Sequence, residues 1–166
     1  TLSDSVWAGT LHGYMREFSE LDIDKNDPNF WTTTLPEAAF DAVDEPAFDY
    51  LIIDEAQDVL DENYLLFLSA CLKGSLSDGH WLMLGDFCNQ NIYTESGGID
   101  LLKNNYGHFT SAVLRDNCRN TPRIVAAFKQ ICELDENLYK SILRTDNGED
   151  AHWQSYDSKN GQHDLL

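Results

Sequence analysis

Acidic and amide side chains crowd the end of one apolar run. In "YLIIDEAQD", residues 50–58, Asp54 and Glu55 are followed by Gln57 and Asp58. A second run, "HWLMLGD" at 80–86, also ends on a carboxylate, Asp86. Carboxylates gathered in this way repel one another unless a cation sits among them, and Mg²⁺ with bound phosphates is the usual solution. In such a pair the Asp holds the metal, often through water, while the Glu orients and deprotonates an attacking water. Further along, Gln90 in "GDFCNQ" offers a neutral amide that both donates and accepts. Arg119 in "DNCRN" offers a permanently charged guanidinium that forks across phosphate oxygens. Each feature has a plain alternative. The acids could simply open a loop and cap a helix at Asp61, Gln90 could be a turn residue, and Arg119 a surface ion-pair partner.

These groups need elements to hold them. The runs at 50–55 and 80–86 suit strands buried on both faces, as in a parallel sheet. "FTSAVLRDN" at 109–117 is a third candidate strand, and "SVWAG" at 5–9 a weaker one. Helical patterns lie between them. "DENYLLFLSACLKG" sets Tyr64, Leu65, Leu68, Cys71 and Leu72 on one face, with Asp61 and Glu62 in the first turn and Gly74 past the end. "NTPRIVAAFKQICEL" offers Thr121 as N-cap, Pro122 at the first helical position, and Ile124, Phe128 and Ile131 in a stripe. "TTTLPEAAFDAV" reads as a capped helix, and "TLHGYMREFSEL" is compatible with a helix. Strands alternating with helices predict βαβ units and an α/β fold with a mostly parallel sheet and flanking helices. In open sheets of this kind, ligands sit beyond the carboxyl ends of the strands, where Asp54, Glu55 and Asp86 fall. Residues 22–28 read as a polar connector, and 146–166 as a linker followed by the truncated start of a next domain, with a possible strand at 151–156.

The 166 residues are 42% hydrophobic and 11% aromatic, which is a globular composition and not a disordered one. No apolar run reaches the roughly 18 residues of a transmembrane helix, and the first residues lack the basic and apolar regions of a signal peptide. The absence of an initiator Met hints at a piece of a longer chain. Cys71, Cys88, Cys118 and Cys132 form no CxxC pair, which suits reduced thiols in the cytoplasm. The five histidines have no metal-ligand spacing. With 11 basic against 29 acidic residues, the formal charge of −18 repels phosphate backbones.

"LIIDEAQD" resembles motif II, the Walker B element, of the UvrD/Rep-like superfamily I DNA helicases, where D-E-x-Q-D is characteristic. "LGDFCNQNIY" at 84–93 looks like motif III of that branch, and "LRDNCRNTPRI" at 114–124 looks like motif IV. Upstream, "VWAGTLHGYM" loosely resembles a segment whose Thr-x-His helps hold single-stranded DNA. The resemblance spans residues 6–125 and implies a partial RecA-like P-loop NTPase domain over 1–145. It implies that Asp54 anchors Mg²⁺ and Glu55 is the catalytic base. Gln57 and Asp58 would brace the loop and link it to motif III, Asp86 would lie against the cofactor, and Gln90 would sense the γ-phosphate or the attacking water. Arg119 would be an arginine finger, a device worth roughly 10³–10⁵ in rate. The implied cofactors are ATP and Mg²⁺, and the implied partner is single-stranded DNA, both in the intact parent.

The chain departs from that pattern in three places. "GDFCNQ" is one residue longer than the common G-D-x-x-Q, and "IYTESGG" lacks the Arg of an F-R-G stretch. No G-x-x-x-x-G-K-[ST] occurs, so the backbone amides and Lys that cradle the β- and γ-phosphates are missing. The expectation is therefore a fragment that is inactive alone, binds single-stranded DNA negligibly, and lacks the P-loop strand. Residues 80–84 and 110–114 should then be exposed edges or re-paired. Two other readings stand beside it. One is a degenerate, non-catalytic helicase-like interaction module with an acidic surface. The other is a Mg²⁺-dependent phosphohydrolase or receiver-like domain.

Overall fold

The computed structural model describes residues 6–87, 98–107, 109–133, 137–146 and 148. The chain divides into two units, Thr1–Thr110 and Ser111–Leu166. Its described part is mixed α/β, with two short parallel sheets of two strands each.

In the first unit, α1 (Leu11–Ser19) starts at Thr10, whose hydroxyl accepts from Gly13 N at 3.2 Å. It stops at Glu20, in the left-handed region at φ 57. The predicted capped helix at 32–43 takes a different form: a π-helical turn at Phe30–Thr34 leads into α2 (Leu35–Asp41), and no threonine side chain caps it. Asp27 organises the entry, accepting from Asn29 N at 2.9 Å and from the Thr34 hydroxyl at 2.6 Å. Pro36 has no N–H to give the Thr32 carbonyl, and Asn63 Nδ2 fills that acceptor at 3.0 Å.

Next come β1 (Tyr50–Ile53), a 3₁₀ turn (Ala56–Val59), α3 (Glu62–Cys71), the single turn α4 (Ser75–Asp78), β2 (His80–Met83) and α5 (Gly98–Asn105). Asp61 caps α3, accepting from Asn63 N at 3.0 Å. Tyr64, Leu65, Leu68, Cys71 and Leu72 are all buried, and so is Phe67, so α3 is covered on two sides. Tyr64, Phe67 and Cys71 pack with Met15, Phe30, Leu35 and Ala39. Leu65, Leu68 and Leu72 pack with Leu60, Leu76 and Leu102 and with the sheet residues Leu51, Ile53, Trp81 and Met83. A helix buried this broadly joins two cores and is not a surface helix with one apolar stripe.

β1 and β2 pair in parallel, with Tyr50 opposite His80 and Ile53 opposite Met83. Burial on both faces was predicted, and the structure corrects this. Leu51, Ile53, Trp81 and Met83 face the helices, while Tyr50 and Ile52 are each 72% exposed on the other side. Both sets are apolar, so the alternation that marks a one-sided strand is absent from the sequence.

In the second unit, β3 (Asp116–Asn117) pairs in parallel with β4 (Ser141–Ile142), and α6 spans Pro122–Ile131. The strand predicted at 109–117 shrinks to β3. Residues 110–114 form no ladder, and Val113 and Leu114 are exposed, the latter by 89%. β-branched and apolar residues favour a strand where a neighbour supplies the ladder, and among the described residues β3 has one from β4 alone. Likewise residues 6–9 form no strand. On α6 the buried residue is Val125, and Ile124, Phe128 and Ile131 stay about half exposed. Residues 149–166, with the predicted strand at 151–156, lie outside the described residues. No helix among the described residues is long and apolar enough to cross a membrane.

Candidate acidic-loop site

The carboxyl ends of β1 and β2 lie side by side, because parallel pairing brings both chains out of the sheet at the same edge. The ladder continues one step beyond them. Leu84 N donates to Ile53 O and Ala56 N donates to Leu84 O, each at 2.8 Å. The loop after β1, carrying Asp54 and Glu55, is thus bound to the loop after β2, carrying Gly85 and Asp86.

Asp54 Oδ1 accepts from Glu55 N at 3.0 Å. Glu55 sits at φ 53 and ψ 42, a left-handed conformation that a side chain with a β-carbon adopts at a cost of about 1–2 kcal/mol. The turn is held by Asp58 N donating to Glu55 O at 3.1 Å. The side chains of Asp54, Glu55 and Asp58 are exposed and take part in no ion pair among the described residues.

Gln57 is the buried member of the group, 4% exposed. Its Nε2 donates to Glu55 Oε2 at 2.8 Å, and its Oε1 accepts from Asp86 N at 3.2 Å. Reversing the amide would set its NH₂ against the Asp86 N–H and its oxygen against a carboxylate, so the partners fix its orientation. Gly85 makes the room. A β-carbon there would collide with Gln57 Oε1 and stand 3.1 Å from Ala56 N and 3.2 Å from Gln57 N. In the sequence this glycine is one letter of the "LGDFCNQNIY" string, with no role of its own apparent there. A Gly at the end of an apolar strand is the available signal for such a close approach.

Asp54, Glu55, Gln57, Asp58 and Asp86 therefore form one cluster in the first unit. Arg119 belongs to the second unit, in the turn between β3 and α6. Asn117 Oδ1 shapes that turn by accepting from Arg119 N at 3.0 Å and Asn120 N at 2.9 Å. Arg144 Nη1 donates to Arg119 O at 2.6 Å, leaving the Arg119 side chain exposed. Gln90, with Cys88 and Tyr93, lies outside the described residues. The Thr-x-His segment is engaged within the fold: Thr10 caps α1, and His12 Nε2 lies 2.8 Å from Tyr64 Oη.

Among the described residues no three His, Cys, Asp or Glu side chains converge as a ready metal cage. Mg²⁺ does not need one, since it binds through one or two carboxylates and keeps several waters. Asp54, exposed and with one oxygen engaged by Glu55 N, is compatible with that mode. In comparisons with protein-family models, with curated proteins and with solved structures, nothing matches this chain.

Proposed function

We propose that this chain is part of a RecA-like motor domain of an ATP-dependent DNA helicase or translocase of the UvrD/Rep-like kind, acting on single-stranded DNA in the cytoplasm. The observation that carries the reading is the tie between two strand-end loops: Asp54 and Glu55 beyond β1, Gly85 and Asp86 beyond β2, and Gln57 bonded to both. An Asp–Glu pair at the carboxyl end of a parallel strand is where a metal-bound triphosphate is hydrolysed in α/β motors. Three motif-like strings in the order II, III, IV support the same reading.

In this assignment Asp54 would hold Mg²⁺ and Glu55 would take the proton of the attacking water. Gln57 and Asp58 brace the loop, and Asp86 lies against the bound nucleotide. By the motif resemblance, Gln90 would sense the γ-phosphate and Arg119 would neutralise charge that develops on it. ATP with Mg²⁺ supplies an electrophilic phosphorus and a leaving group whose charge the metal shares. The sequence holds no phosphate-cradling P-loop, so hydrolysis is assigned to a polypeptide that carries one. The acidic charge and the missing P-loop favour one competitor, a non-catalytic helicase-like module that docks partners through its acidic surface.

The test uses the intact parent polypeptide. Glu55→Gln should abolish nucleic-acid-stimulated ATP hydrolysis and spare ATP binding. Hydrolysis near the wild-type rate would remove Glu55 from the mechanism. A parent without any P-loop would select the interaction module.

A further inference from the structure

We propose that Gly85 is a positioning residue of the acidic loop: by lacking a side chain it admits the Gln57 carboxamide between Glu55 and Asp86, and so couples the two strand-end loops into one responsive unit. A carboxamide gives a hydrogen bond from one end and takes one at the other within a single rigid plane, without carrying charge. Here both ends are used, Nε2 toward the Glu55 carboxylate at 2.8 Å and Oε1 toward the Asp86 amide at 3.2 Å. Burial of Gln57 keeps water from substituting for either partner. A displacement of the Asp86 backbone therefore pulls on the plane that aims the Glu55 carboxylate, and a change at Glu55 is felt at Asp86. Leu at position 57 would fill the space and make neither bond. A β-carbon at position 85 would occupy the place of Oε1 and press on the amide nitrogens of Ala56 and Gln57.

Glu55 is held in a left-handed conformation, so its side chain does not sample the directions open to an ordinary loop glutamate. The Gln57 bond removes much of the remaining freedom. In terms of the motor reading, on which this consequence rests, whatever moves the loop after β2 re-aims the general base. The coupling itself is a property of the chain and needs no nucleotide.

The experiment is ¹H–¹⁵N NMR on the full chain, following the Asp86 backbone amide and the Gln57 side-chain NH₂ in wild type, Glu55→Ala, Gln57→Leu, Glu55→Ala/Gln57→Leu and Gly85→Ala. Gln57→Leu should speed hydrogen exchange at the Asp86 amide by about tenfold, the factor carried by one net hydrogen bond. Glu55→Ala should shift both the Gln57 NH₂ and the Asp86 amide, although Glu55 does not bond to Asp86 N. In the Gln57→Leu background the same Glu55→Ala change should leave the Asp86 amide still. Gly85→Ala should reproduce the Asp86 effect of Gln57→Leu. Should Gly85→Ala fail to fold, Gly85→Ala/Gln57→Ser, which removes the colliding oxygen, should fold. An Asp86 amide untouched by Gln57→Leu would overturn the proposal. So would an equal Asp86 response to Glu55→Ala with and without Gln57, unmoved signals in a folded Gly85→Ala, or no rescue by the shortened side chain. If the parent proves to lack ATPase activity, these results stand unchanged and only the motor reading falls.

Discussion

Tyr64→Phe isolates the polar clamp that holds α1 and the π-helical turn against α3. The Tyr64 hydroxyl donates to Trp31 O at 2.7 Å and lies 2.8 Å from His12 Nε2. A hydroxyl has one proton and a carbonyl can only accept, so His12 Nε2 carries its own hydrogen and donates to Tyr64 Oη. The ring packs with Phe67, Cys71 and Met15, contacts that Phe would keep, so the substitution removes two hydrogen bonds and little else. At about 0.5–1.5 kcal/mol for each, with two half-buried partners left unmet, the loss should be about 2 kcal/mol. For a unit of this size that is a Tm lower by about 10 °C. A pH series adds a second readout. Burial holds the His12 pKa below its usual 6.5. The neutral ring is thus favoured in the fold, and its contribution is full above pH 6.5 and lost as the pH falls below it toward the folded pKa. The Nε2–H bond survives protonation, so the pH effect comes from desolvation and not from the clamp. Tyr64→Phe should lower stability at every pH and keep the slope, whereas His12→Gln should flatten it. Thermal and urea melts between pH 5 and 8 decide the matter. A Tyr64→Phe loss under about 0.5 kcal/mol, or a slope that vanishes with the hydroxyl, would refute the reasoning.

Two further outcomes are expected. Burial in the cluster between α1, α2 and α3 pushes the Cys71 thiol up to about 12, whereas Cys118 and Cys132 are exposed. In a Cys88→Ser background, a thiol reagent should therefore label Cys118 and Cys132 quickly and Cys71 only on denaturation, and rapid labelling of Cys71 would show that this core is open. With a formal charge of −18, this chain alone should not bind single-stranded DNA at physiological salt; a salt-dependent gel shift at low-micromolar protein would contradict that.

The legible parts of the fold are those whose signal is local. Asp61 at the start of α3 and the apolar spacing along that helix are written within a few neighbouring residues. The faces of β1 and β2 were not legible, because Tyr50 and Ile52 are as apolar as Leu51 and Ile53 and composition cannot say which pair is covered. Residues 110–114 misled for a related reason. Val113 and Leu114 have strand propensity, but the ladder in this unit is made where Lys140 N donates to Arg115 O and Leu143 N to Asn117 O, a pairing no short window contains. Asp54, Glu55, Asp58 and Asp86 stand out in the sequence as acids after apolar runs, and Gln57 as part of the D-E-x-Q-D string. Gly85 does not stand out, because its contribution is the absence of an atom and shows only when Gln57 is placed beside it.

Several constraints meet in the acidic loop, although a left-handed glutamate also ends α1 at Glu20. A solvent-exposed turn after a strand would relax by placing Gly or Asn at the left-handed position and by leaving its side chains to water. Here the left-handed residue is Glu55, at an energetic cost, and the neighbouring amide is buried. Three backbone bonds, from Ala56 N, Asp58 N and Leu84 N, over-determine the turn, so the strain is retained when the chain folds. The remaining freedom of the carboxylate is taken by Gln57, whose other end is fixed by the adjacent strand's loop. Two of the backbone bonds, from Leu84 N and Ala56 N, also carry the β1–β2 pairing one step further, so they serve the fold as well as the loop. On the motor reading proposed above, the same constraints would aim the Glu55 carboxylate in one direction, in register with the end of β2.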